Sequence, residues 1–174
     1  MNKNTRHLNN EDSVYKISAS GLFRLAVWED AEFLLVLRND ISVWPQFIQA
    51  RTVGRQEHLE WFKGVLKRND VKLFIILNEG LPAGQVRYDL KQDGAYVSIA
   101  ISAAYRGKGL GAQALKLTAQ KILALADVTV LKALIKENNG TSLRCFKNAG
   151  FIPAGKEKHG ESYFIIMELR KILK

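Results

Sequence analysis

Gly107, Gly109 and Gly111 occupy alternate positions of the stretch YRGKGLGAQAL, residues 105–115, with Arg106 and Lys108 interleaved. Glycines at this density let a backbone turn tightly and let a ligand come up against its N–H groups. The stretch leads from a strand-like segment into a helix-like one, so Leu110, Gly111 and Ala112 would form a first helical turn. Such a turn has unpaired N–H donors and the positive end of the helix dipole, and both favour an anion. The competing reading of the glycines alone is a tight turn that merely closes a strand–helix connection.

Two phosphate-binding templates fail. A P-loop requires G-x-x-x-x-G-K-[ST], but Ala112 and Gln113 follow Gly111, so the lysine and the hydroxyl are missing. A dinucleotide fingerprint requires G-x-G-x-x-G after the first strand of a βαβ unit, whereas here G-x-G-x-G follows an antiparallel meander. Metal chemistry lacks a basis too. His7, His58 and His159 are scattered and Cys145 is single, so no metal is expected.

The elements that must position this loop can be read from periodicity. LFRLAV reads as a strand, EDAEFLLVLRND as a helix ending near Asn39, and SVWPQFIQARTVG as irregular chain broken by Pro45 and Gly54. RQEHLEWFKGVLKR repeats Leu59, Phe62 and Leu66 at helical spacing. VKLFIILN, AGQVRYDL and AYVSIAIS form a three-strand meander, with Val97, Ile99 and Ile101 alternating with Tyr96, Ser98 and Ala100. The helix after the loop sets Gly111, Leu115, Thr118, Ile122 and Leu125 on one face. VTVLKALI is almost wholly apolar and reads as a strand covered on both sides. In NNGTSLRCFKNAGF, Asn139 is an N-cap and Gly150 a left-handed C′ residue, which brings Phe151 back onto Phe146. Strands around FIPAG and ESYFIIMEL complete the chain.

This order implies an α/β (α+β) fold with a mixed, mostly antiparallel sheet of about six to seven strands and about four helices. Residues 1–20 read as a polar arm and 21–174 as a single domain. No apolar run approaches the ~20 residues of a membrane span, and the polar start and single cysteine imply a cytoplasmic protein. The net charge of +9 suits an anionic partner, but without a basic stripe or RNA-binding motif nucleic acid is unsupported. A homodimer is left open.

Two motifs resemble the GNAT N-acetyltransferase family. RGKGLG matches its R/Q-x-x-G-x-G/A loop through Arg106, Gly109 and Gly111, between the fourth strand and third helix. NGTSLRCFKNAGF matches N-x-x-S-x-x-x-Y-x-x-x-G-F through Asn139, Ser142, Gly150 and Phe151. The resemblance spans about residues 22–169, element order included. It implies the GNAT fold, with acetyl-CoA as co-substrate and its pyrophosphate on Arg106 to Ala112. It also implies that the pantetheine arm lies along the splayed edge of the fourth strand, including Ile99 and Ile101, and that Asn139 contacts this arm. The chain departs from the family at Phe146, where a tyrosine commonly protonates the leaving thiolate.

Acetyl transfer to an amine needs a deprotonated amine, a stabilised oxyanion and a departing thiolate. A lysine-like amine is free in roughly one part in two thousand at pH 7, so a base helps. The catalytic residue is not identified. The candidates are His58 and Glu57, with Glu60, Tyr88 and Asp89 less favoured and His159 read as surface. LRND (37–40) and EHLEWF (57–62) resemble the branch that acetylates nucleotide-linked amino sugars, which implies that Arg38 and His58 contact that acceptor. The alternatives are a protein N-terminal or ribosomal-protein acetyltransferase, or a non-catalytic acetyl-CoA-binding module.

Overall fold

Apolar residues occupy both faces of Val71–Asn78, and this strand becomes the middle of the molecule. Val71, Leu73, Ile75 and Leu77 pack on one side of the sheet, and Phe74 and Ile76 pack on the other. The computed structural model describes residues 15–16, 21–92, 94–125 and 127–172. Most of the expected polar arm thus lies outside the described residues. Within it, Tyr15–Lys16 (β1) pairs antiparallel with Gly21–Leu25 (β2).

The sheet continues through Val71–Asn78 (β3), Leu81–Lys91 (β4), Gly94–Ile101 (β5), Val130–Lys136 (β6), Ile152–His159 (β7) and Ser162–Arg170 (β8). Its order is β1-β2-β3-β4-β5-β6-β8-β7, and only β5 and β6 run parallel. The expected mixed, mostly antiparallel sheet is therefore present, lengthened by the two-residue β1. Four α-helices lie among the described residues: Ala31–Asn39 (α1), Arg55–Leu66 (α2), Leu110–Leu123 (α3) and Gly140–Asn148 (α4).

α3 and α4 cover one face. Leu110, Ala114, Leu115, Ala119 and Ile122 of α3 join Phe146 and Phe151 over β3 to β6. Thr118 is fully buried on that same helical face; its hydroxyl donates to the Ala114 carbonyl at 2.7 Å and accepts from Tyr88 Oη at 2.8 Å. That bond satisfies the one polar atom Tyr88 carries into the core. α1 and α2 cover the other face through Ala31, Leu34, Phe62 and Val65. Each fully buried Leu, Ile or Phe contributes about 1.5–3 kcal/mol, so both layers are firmly seated.

β6 corrects its sequence reading. Val130, Leu131, Ala133 and Ile135 are buried, but Lys132, Leu134 and Lys136 are only half-buried. α1 and α2 reach across β3 to β5 and leave β6 open on their side. That opening becomes the site.

Candidate donor and acceptor site

β5 and β6 pair at Ala95↔Leu131 and Tyr96↔Lys132 and then diverge. From Val97 onward the β6-facing edge of β5 lacks a ladder partner. A cleft of about 340 Å³ opens there, between Ile99 and Ala100 of β5, Ile135 of β6, and Asn139, Ser142 and Phe146 at α4.

Arg106, which leads into the glycine loop, lines this cleft. Gly107 and Gly109 have φ of +78° and +75°, a left-handed conformation in which any side chain is strained. Gly109 is the N-cap of α3 and no side chain caps it, so the first-turn N–H groups have no acceptor within the helix. Gly111 meets a different need: a Cβ there would lie 3.2 Å from Cys145 Sγ and 3.4 Å from Ile101 Cγ1. Its bare Cα lets α3 start close against β5 and α4. An uncapped helix start with left-handed glycines is a cradle for phosphate, so these residues fit the pyrophosphate of CoA. Arg106 is already engaged, its Nε donating to the Ile101 carbonyl at 2.8 Å and Nη1 to Ser42 Oγ at 2.7 Å. Lys108 lies 5.7 Å from the Tyr105 ring centroid.

Asn139, which also lines the cleft, caps α4, its Oδ1 accepting from Ser142 N at 3.1 Å. Gly150 N donates to the Lys147 carbonyl and Phe151 N to the Phe146 carbonyl, which completes the expected Schellman motif. The Phe146 and Phe151 rings meet edge to face at 5.0 Å, with Phe146 only 2% exposed. Burial pushes the Cys145 thiol up to about 11 and keeps it protonated.

A second cavity of about 460 Å³ lies on the α1–α2 side. It shares Gln46, Phe47, Val97, Ser98 and Leu134 with the donor cleft, so the two meet at the mouth of the splay. Arg38, Glu57 and His58 all line it, together with Arg51, Arg87 and Asp89. Tyr88 does not, because strand alternation turns it into the core, where burial raises its phenol. Glu60 pairs with Gln56 on exposed helix, and His159 contacts Glu157 on the far β7–β8 hairpin.

His58 is 2% exposed, with Nε2 at 2.9 Å from the Ala31 carbonyl. A carbonyl only accepts, so Nε2 carries the proton and Nδ1 is the basic nitrogen. Burial lowers its pKa from the ordinary 6.5, which makes the ring neutral at pH 7. Both Glu57 oxygens bond Arg51, which holds this carboxyl below its usual range. Arg87 pairs with Asp89 at 2.5 Å and lies under Trp61. Among the described residues no carboxylate bonds Arg38, although the charge of Glu57 acts on it: its guanidinium sits 4.2 Å from the Phe47 ring centroid, Nη2 makes a long 3.4 Å contact to the Gln49 carbonyl, and Nη1 is buried unbonded. Burial lowers its pKa. Arg87 Nε is likewise buried without a partner.

Sequence reading missed Arg51, Arg87 and the loop between α1 and α2. For Arg87 a signal existed, since Gln85, Arg87 and Asp89 alternate with the buried Val86 and Tyr88. Arg51 gave none. Among the described residues no His, Cys, Asp or Glu cluster could hold a metal, and no helix is long and apolar enough to cross a membrane.

The family model for the acetyltransferase (GNAT) domain matches residues 22–152. The uncharacterized N-acetyltransferase YfmK of Bacillus subtilis is 30% identical over 111 residues, which is 62% of this chain and 72% of that protein. Among solved structures, a Salmonella typhimurium acetyltransferase that modifies the N-terminal serine of a 50S ribosomal subunit protein superposes with a TM-score of 0.80. It is 17% identical, over 92% of this chain and 100% of that one. Spermidine N-acetyltransferase from Vibrio cholerae, in complex with CoA and spermine, has a TM-score of 0.80 at 14% identity, over 88% of this chain and 96% of its own. At these identities the two structures share the fold.

Proposed function

Because the chain belongs to the GNAT acetyltransferase family, with acetyl-CoA as its donor, we propose that it acetylates a primary amine on a small molecule that also carries an anionic group. A nucleotide-linked amino sugar is one such molecule. The observation behind this reading is the charge of the acceptor cavity. Three arginines face two carboxylates there; Glu57 is bonded by Arg51 and Asp89 by Arg87, so among the described residues Arg38 has no ion pair and meets the charge of Glu57 only at longer range. A polyamine would meet an excess of like charge in that space. An anion would complete Arg38, whose planar fork suits phosphate or carboxylate.

Bound acetyl-CoA supplies a thioester whose thiolate is already a fair leaving group, with a thiol pKa of ~8.5. The amine enters past Arg38 and reaches the mouth of the splay beside Ser98 and Leu134. A backbone N–H on the unpaired edge of β5 meets the developing oxyanion. Of the two candidate bases His58 is the better suited, because it is neutral at pH 7 with Nδ1 unprotonated. Glu57 spends both oxygens on Arg51. Phe146 has no proton to give, so the thiolate leaves without acid assistance from this position.

A protein N-terminus is the second reading. Its support is the likeness to the ribosomal N-terminal enzyme and the +9 net charge, which would suit an acidic protein. The test is acetyl-CoA turnover with a UDP-linked amino sugar, the free amino sugar, N-terminal peptides and spermidine. The nucleotide-linked sugar should lead. Arg38→Ala should raise its KM about ten- to a hundredfold, the loss of one charge-assisted bond, and leave the KM of acetyl-CoA nearly unchanged. Peptides turning over as well or better would establish the second reading instead.

A further inference from the structure

Asp40, Ser42 and Arg106 form a chain of contacts that bridges the two halves of the site across 64 residues of sequence. Ser42 N donates to Asp40 Oδ1 at 2.8 Å, and the Ser42 hydroxyl donates to the same oxygen. That hydroxyl then accepts from Arg106 Nη1 at 2.7 Å. The Asp40 carboxyl is held below its usual range, by the two Ser42 bonds first and by the charge of Arg106 last. Carboxylate, hydroxyl and guanidinium are thus arranged donor to acceptor with no mismatch. With Nε on the Ile101 carbonyl and Nη1 on Ser42, no described residue bonds Nη2 of Arg106, and Arg106 lines the donor cleft.

The loop that carries Ser42 is itself part of the acceptor wall. Gln46 and Phe47 line both cavities, and Gln49, Arg51 and Val53 line the acceptor cavity. Its ends are clasped by Asn39, whose Nδ2 donates to the Val53 carbonyl at 2.8 Å and whose Oδ1 accepts from Val53 N at 2.8 Å. Between this clasp and Ser42 the backbone crosses the mouth where donor and acceptor meet. The helix–loop side of the site therefore reaches the glycine loop through the Arg106 guanidinium.

We propose that Ser42 is a positioning residue that ties the acceptor wall to donor occupancy. When a pyrophosphate sits at the start of α3, it takes Arg106 Nη2, and the fork, now fixed on three sides, holds Ser42 and the loop behind it. A filled donor cleft then presents a stiffer acceptor cavity than an empty one. The inference rests on the donor reading of the glycine loop and needs no knowledge of the acceptor.

The test uses CoA itself as the probe, with hydrogen exchange over residues 41–53 and calorimetric CoA affinity measured on the same proteins. In the wild type, CoA should slow exchange in this segment by about two- to tenfold, the weight of one hydrogen bond. Ser42→Thr, which keeps the hydroxyl, should behave alike. Ser42→Ala should still bind CoA, with affinity within about threefold, but its segment should no longer respond. With an acceptor in hand, Ser42→Ala should raise the acceptor KM and leave kcat nearly unchanged. An unresponsive wild-type segment in a CoA-bound protein, or an equal response in Ser42→Ala, would overturn the coupling alone. Failure of the wild type to bind CoA would overturn the donor reading together with it.

Discussion

Phe146 stands where the family commonly carries a tyrosine, and its surroundings explain what it does there. The ring is buried, closes the end of α4 against Phe151 and lines the donor cleft without offering a proton. Phe146→Ala should therefore cost about 3–5 kcal/mol of stability, read by denaturant unfolding. Phe146→Leu should keep turnover within about threefold, since it leaves an apolar side chain in place and removes no proton donor. Collapse of activity in a Leu variant of normal melting temperature would give this position a chemical role. Arg38 and Arg87 mark the opposite situation, in which buried guanidinium nitrogens find no partner among the described residues. Such groups cost stability unless something completes them, and the proposed acceptor cavity, which both arginines line, is where that can happen.

At the scale of elements, the start of α3 joins backbone conformation to ligand binding. Gly109 holds φ of +75°, and a Cβ there would touch only Gln113 Nε2, at an ordinary 3.7 Å. Space is thus available and the conformation is the obstacle. Gly109→Ala should lower stability by about 1–2 kcal/mol through left-handed strain, seen as a reduced Tm. On the donor reading it should also weaken CoA binding, because the strain is relieved by turning the N–H groups proposed to meet the phosphates. Unchanged calorimetric affinity in the folded variant would remove the loop from the donor site. Gly111 is bound by a different constraint, the close approach of α3 to Cys145 and Ile101, so Gly111→Val should loosen the helix from β5.

For the whole molecule, His58 links the α1–α2 layer to pH. Its folded pKa is depressed by burial, so protons bind the unfolded chain more readily than the native one. The stability it protects is complete above the ordinary imidazole value of 6.5 and is lost as pH falls through that value toward the lower folded one. The wild-type Tm should drop between neutral pH and about pH 5, and His58→Gln should flatten that slope. If His58 is also the base, kcat/KM will fall at the acid end of that window, through the lowered folded value, in a protein that is still folded. An identical slope in the variant would assign the acid sensitivity to other groups.

The sequence by itself determined what depends on neighbours along the chain. Periodicity located the meander, α2 and α3, because burial is written at spacings of two and 3.6, and apolar runs bounded by turn and cap residues located the rest of β2 to β8, α1 and α4. The glycine loop and the Asn139 and Gly150 caps were legible for the same reason, since each is a local backbone requirement. Tertiary structure decided what depends on strands parting. VTVLKALI has the composition of a strand covered on both sides, and nothing local states that β5 and β6 separate after Tyr96↔Lys132 and leave Leu134 facing a cleft. Register likewise decided that Arg87 lies opposite Ser98 and Asp89 opposite Tyr96 on the cavity face. The bond from Arg106 to Ser42 spans 64 residues. Such contacts arise from packing distant segments against one sheet, and side-chain types along the chain carry no record of which will meet.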